Sequence, residues 1–182
     1  MPKPIATIYR EDVLPKREAL FGVTNIHATP KLAKVVISAR IKRGGSEGLE
    51  KVFSTLSKIT GQKAIPAKAR LSISNFKIRE GQVLGAKVTL RGARARDFLD
   101  RLVNVTFPRV RDFSGLPLEG FDGHGNYTIG LREHNVFPEA GSDDVSSLHG
   151  LEVTVVTSAA NDNDGRTLLA SLGFPFKKQV TA

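Results

Sequence analysis

Cysteine and tryptophan are both absent from the 182 residues. Without cysteine there are no disulfides, no cysteine-based zinc centres and no thiol catalysis, and the absence is compatible with a reducing compartment. No apolar run approaches the roughly 18 residues that a membrane-spanning helix needs. The opening MPKPIATIYRED has no continuous apolar core of the kind a secretory signal carries, so none is expected. Aromatics are sparse at 7%, and ten of them are phenylalanine. Acidic residues are the remaining shortage: 18 Asp and Glu face 27 Lys and Arg, a formal charge of +9.

That charge is concentrated. Residues 62–111 hold 12 Lys/Arg against 3 Asp/Glu, which equals the excess of the whole chain. Residues 1–61 carry 11 basic and 5 acidic side chains, and residues 112–182 carry 4 and 10. So uneven a field steers a phosphate backbone toward one part of the surface and raises its rate of encounter. A solvated basic face kept for solubility is the plainer reading. A basic membrane-surface protein is a third, and no strongly amphipathic basic helix supports it.

The length suits one domain over residues 1–182, and 40% hydrophobic residues suffice for a core. Ile8, Val13, Leu14, Leu20 and Phe21 predict a first helix that ends at Gly22, with Pro15 placed to kink or split it. Val35, Val36 and Ile37 mark a buried strand. Leu49, Val52, Phe53, Leu56 and Ile59 share one face of a helix over 49–60, closed by Gly61. Strands are expected at about 62–66 and 84–91, on either side of a basic excursion over 68–82; excursions this long are usually functional or disordered. A further helix spans 93–105 and stops at Pro108. LEVTVVT (151–157) alternates as a strand, and a last helix follows the polar cap around Asn161. Helices and strands interleave without regular βαβ spacing. The expected class is therefore α+β: an antiparallel sheet with helices packed on one face.

Reactive constellations are missing. His27, His124, His134 and His149 are scattered and none pairs at metal-ligand spacing, so they are expected to be surface or turn residues with no metal site. Gly44-Gly45 and Gly123-His124-Gly125 match neither a P-loop nor a dinucleotide fingerprint, and no cofactor is expected. Asp143-Asp144 is an adjacent pair on a polar loop without an acid–base partner. An enzyme on an α+β scaffold that acts on RNA or a nucleotide is the rival to a structural RNA binder. A shared α+β fold would not separate the two; the lack of a reactive cluster favours the binder.

Seven stretches carry a resemblance: ITGQK (59–63), SISNFKIREG (72–81), GAKVTLRG (85–92), FLDRL (98–102), PRVRDFSG (108–115), FDGHGNYTIG (121–130) and GFPFKK (173–178). In this order they resemble the bacterial-type large-subunit ribosomal protein family called L five, over about residues 9–178. The resemblance implies a sheet similar to an RNA-recognition motif and a non-enzymatic role in the cytoplasmic ribosome of a bacterial-type system, or in an organellar one. It implies a protein that joins 5S rRNA to the central protuberance and contacts 23S rRNA, P-site tRNA, a small-subunit head protein and the neighbours called L eighteen and L twenty-five. By the same resemblance the 5S rRNA contacts fall on Lys34, Ser38, Gln62, Lys63 and Thr89. The P-site tRNA loop would use Lys68, Arg70, Ser72, Ser74, Asn75, Phe76, Lys77 and Arg79. Arg109, Arg111, His124 and Asn126 would face 23S rRNA, and Glu139, Asp143 and Asp144 the small subunit. The chain departs from the family pattern over residues 38–42, where Ala39-Arg40-Ile41-Lys42 replace a Met/Gly-rich turn, over 137–145, and at His124. Ser38 stands where the family has Asn, with a shorter reach, and His124 where it has Arg.

Overall fold

The alternation in LAKVVISAR gives a strand two unlike faces. In the computed structural model, which describes residues 3–40, 46–141 and 148–177, that segment is β1 (Leu32–Arg40). Val35, Ile37 and Ala39 are buried; Lys34, Val36 and Ser38 between them are half-covered and Arg40 is exposed. Four more strands complete the sheet: β2 (Ile65–Lys68), β3 (Val83–Leu90), β4 (Tyr127–Leu131) and β5 (Leu151–Thr157). Their order is β2-β3-β1-β5-β4, an antiparallel sheet with helices, so the α+β class holds. The contacts divide the chain into two compact units. One contains the chain up to Val35, Arg91–Ile129 and the stretch from Thr154 onward; the other contains Val36–Leu90 and Gly130–Val153.

In the second unit, helix α3 (Ser46–Thr60) packs against β3. It does so because Val52, Leu56 and Ile59 fall on one side of it, and Ala86, Val88 and Leu90 on one side of the strand; all six are buried. Gly61, at φ +65°, ends the helix in the left-handed conformation that costs glycine little. The strand expected at 62–66 begins only at Ile65. Thr60 is the reason: its Oγ1 donates to the Leu56 carbonyl at 2.6 Å and accepts from the Gln62 N–H at 3.3 Å, which ties residues 60–62 to the helix end. β2 then pairs with β3, Ile65 opposite Lys87 and Ala67 opposite Gly85, with a register shift between Ala67 and Lys68.

In the first unit, Pro15, which has no N–H to donate, splits the predicted first helix. Helix α1 (Ile5–Ile8) widens into a π turn (Tyr9–Val13), and α2 (Arg17–Phe21) follows, capped by Gly22 at φ +66°. The Ile5 N–H donates to Asp100 Oδ1 at 2.8 Å, which anchors α1 on helix α4 (Gly92–Arg101). α4 does not stop before Pro108. It passes through a π turn (Leu102–Thr106) into a last turn, α5 (Phe107–Arg109), and the widened turn accommodates the proline ring and its missing donor. Phe107 stacks on Phe113 at 5.3 Å, and Tyr127 meets Phe121 and Phe176 at 4.7 and 5.2 Å. Helix α6 (Asp162–Ser171) opens on Asn161, whose side chain accepts from the Asp164 N–H at 2.8 Å. No helix among the described residues is long and apolar enough to cross a membrane.

Candidate nucleic-acid interface

Alternation leaves one side of β1 and β3 uncovered. Lys34, Ser38 and Arg40 stand on that side of β1, and Lys87 and Thr89 on that side of β3, opposite the buried residues next to each. Gln62 is fixed beside them. Its Nε2 donates to the Thr89 carbonyl at 3.3 Å, leaving Oε1 and a second N–H of the amide for another partner. Two of the sequence-predicted residues are thus in direct contact, and Lys63 follows them, exposed. Ser38 Oγ donates to Glu152 Oε2 at 3.3 Å. An open trough of about 880 Å³ lies along this part of the sheet, where Ser38, Arg40 and Glu152 share the lining with the apolar Leu84, Leu131 and Leu151. Gly85 has a steric reason to be glycine: a Cβ there would sit 2.3 Å from the Ala39 carbonyl oxygen.

The basic excursion is a hydrogen-bonded hairpin and not an irregular loop. Ala69 N–H donates to the Gln82 carbonyl at 2.8 Å, and Ile73 and Ile78 exchange bonds of 2.9 and 3.1 Å. Lys77, at φ +54°, closes the tip after a short 3-10 turn, Ser74–Phe76. Ser72 Oγ accepts from the Glu80 N–H at 2.9 Å, so that serine supports the hairpin itself. Lys68, Arg70, Ser74, Asn75, Phe76, Lys77 and Arg79 are all exposed, and Leu71 and Phe76 are 72% and 69% exposed. Phe76 therefore does not pack the base of the hairpin.

At FDGHGN the structure separates two predicted residues. Asp122 accepts from the His124 N–H at 2.9 Å and from Asn126 Nδ2 at 2.7 Å, and these bonds hold its carboxyl below the usual range, the Asn126 side chain contributing most. Asn126 Oδ1 also accepts from the Thr157 N–H at 3.1 Å. Both ends of that amide are engaged within the protein, which leaves His124 as the exposed one of the two predicted residues. Arg109 and Arg111 are exposed, and Glu139 is half-buried in the 3-10 turn Pro138–Ala140. Asp143 and Asp144 lie outside the described residues.

The histidine expectation needs correcting. His134 and His149 are buried, with rings stacked 4.1 Å apart, and His134 Nδ1 accepts the His149 N–H at 3.3 Å. Isolated histidines in a sequence give no sign of such a stack, because the partners are fifteen residues apart. No three His, Asp or Glu side chains among the described residues are placed to hold a metal ion. Glu152 and Lys87 were also missed as site residues; the alternation of their strands could have placed both on the uncovered side.

Sequence comparison adds the lineage. The ribosomal protein L5 family matches residues 25–79, and the C-terminal region of the same ribosomal family matches residues 83–176. The chain is 44% identical over 179 residues to a large ribosomal subunit protein uL5 of Synechocystis, covering 97% of this chain and 99% of the relative. A uL5 of Thermotoga maritima is 47% identical over 177 residues, 96% of each chain. One of Streptococcus pyogenes is 46% identical over 172 residues, 93% of this chain and 96% of the relative.

Proposed function

The chain belongs to the ribosomal protein L5 family, structural and non-enzymatic proteins of the large ribosomal subunit, and we propose that it binds 5S rRNA through the uncovered side of its sheet and helps attach it to the central protuberance. The observation that carries this reading is the placement of Lys34, Ser38 and Thr89 on that side, with Gln62 held against Thr89. Cations there meet phosphates, and the neutral donors and acceptors meet bases or riboses. In this reading the hairpin over 68–82 reaches P-site tRNA, Arg109, Arg111 and His124 meet 23S rRNA, and the acidic 139–144 region faces a basic protein of the small-subunit head. L eighteen and L twenty-five are the expected protein neighbours, and the bacterial cytoplasm the expected place. In this reading residues 1–182 act together as one RNA-binding domain, with the hairpin over 68–82 as its protruding part.

Co-sedimentation with large subunits, followed by footprinting on purified 5S rRNA, tests the proposal. The expected result is incorporation together with a protected patch on 5S rRNA that Gln62→Ala or Thr89→Ala weakens. Incorporation without any 5S protection would overturn it.

A further inference from the structure

Glu152 puts a carboxylate on the side of the sheet where the proposed function puts a polyanion. Lys34, Arg40 and Lys87 suit that partner; Glu152 does not, since a phosphate beside it would be repelled. Its neighbourhood indicates what would be welcome instead. Ser38 Oγ donates to Glu152 Oε2, and a serine hydroxyl has a single proton to give. With that proton committed, the pair offers only lone pairs outward, from both carboxylate oxygens and from the serine oxygen. In front of them is the trough of about 880 Å³, where Ala67 and Gly85 contribute almost no side chain and Arg40 supplies a cation at the wall. The acceptor pair of Ser38 and Glu152, set in an open trough, is complementary to a flat group edged with N–H donors.

We propose that the trough receives an unpaired base of the bound RNA and that Glu152 reads the N–H donors of its Watson–Crick edge, guanine being the match. Guanine presents N1–H and the N2 amino group side by side, one for each carboxylate oxygen, whereas uracil and adenine cannot present two such donors together. Bases in single-stranded RNA are read on these edges. Carboxylates accept from the cytosine N4 amino group in duplex grooves. Cytosine's own Watson–Crick edge, however, sets that one donor beside two acceptors and so matches a two-oxygen acceptor less well than guanine. Glu152 is then a specificity-determining residue within the 5S rRNA surface, and the inference rests on that function.

The sign of one mutational effect tests it. Electrostatics alone would have Glu152→Gln bind a polyanion more tightly, because a negative charge is lost. The proposal expects the reverse: about ten-fold weaker binding of purified 5S rRNA by the full chain, at an unchanged melting temperature. Equal or tighter binding overturns it. A second measurement leaves the protein unaltered. Unpaired guanosines are replaced singly by inosine, which keeps N1–H and lacks the amino group. One such RNA should bind the wild type several-fold more weakly while binding Glu152→Gln no worse than unsubstituted RNA does; if none behaves so, guanine reading is wrong. The two levels separate cleanly. Wild-type protein that fails to bind 5S rRNA sinks the proposed function and this site with it, whereas tight wild-type binding matched by Glu152→Gln sinks the inference alone.

Discussion

Asp162 holds a turn by two bonds. Its Oδ1 accepts from the Gly125 N–H at 2.8 Å and its Oδ2 from the Gly123 N–H at 3.1 Å. Removing it leaves two backbone donors without an acceptor and takes a carboxylate from the first turn of α6. Asp162→Ala should cost about 1–3 kcal/mol, read as a drop of several degrees in melting temperature; an unchanged melting curve would show that the turn holds without it. Tyr127 allows a prediction in pH. Burial, reinforced by Glu119, pushes its phenol from 10.0 up to about 12. The folded state thus holds the proton more tightly than the unfolded chain. This contribution is complete below about pH 10 and is lost as the pH climbs to about 12. Tyr127→Phe should flatten the fall in melting temperature between pH 10 and 12, after a loss of about 1 kcal/mol at neutral pH for the bond to the Pro117 carbonyl. An equally steep alkaline fall in the variant would exclude Tyr127 as its source.

Between elements, close approach decides more than propensity. Gly165 lies inside α6, where alanine ordinarily favours a helix by about 1 kcal/mol. Here an added Cβ would sit 2.6 Å from the Gly125 carbonyl oxygen, so Gly165→Ala should destabilise the protein instead; a rise in melting temperature would contradict that packing. The sequence carried the elements better than such approaches. Periodicity over 49–60 and 151–157 marked α3 and β5 because each buries one side against a partner. Pro15 and Gly22 marked the broken first helix through backbone restrictions that act locally. The continuation past Pro108 was not legible, since a π turn depends on how the last turns pack. β4 was legible only as one of several short β-prone runs between turn signals over 108–130, and the His134–His149 stack was hidden because its members meet only after folding. Within the site, the family resemblance pointed to Gln62 and Thr89, whose residue types alone suit ordinary strand and cap chemistry, while the Glu152 contact needed the strand order. The hairpin's sequence showed its charge but not its ladder. Replacing residues 70–80 by a short Gly-containing turn should leave 5S rRNA affinity within about two-fold and weaken P-site tRNA retention on assembled ribosomes. Loss of 5S rRNA binding by a folded variant would assign the hairpin to the assembly surface.

At the scale of the molecule, the charge is partitioned along the chain: +9 within residues 62–111 and an acidic excess after them. The basic part supplies β3, the hairpin and α4, and the acidic part suits a basic protein neighbour better than a nucleic acid. An RNA held by that basic surface releases counterions in proportion to the phosphates it contacts. A sheet that also reads bases keeps a salt-independent share, so Gln62→Ala and Thr89→Ala should weaken binding by about 1–3 kcal/mol while leaving the salt slope as it was. The most direct test of the central claim is therefore the affinity of the wild-type chain for purified 5S rRNA, measured across a series of salt concentrations. The account predicts a straight line of log affinity against log salt with a slope of about −3 or steeper. An affinity indifferent to salt, or equal to that for an unrelated RNA of the same length at every salt, would contradict it.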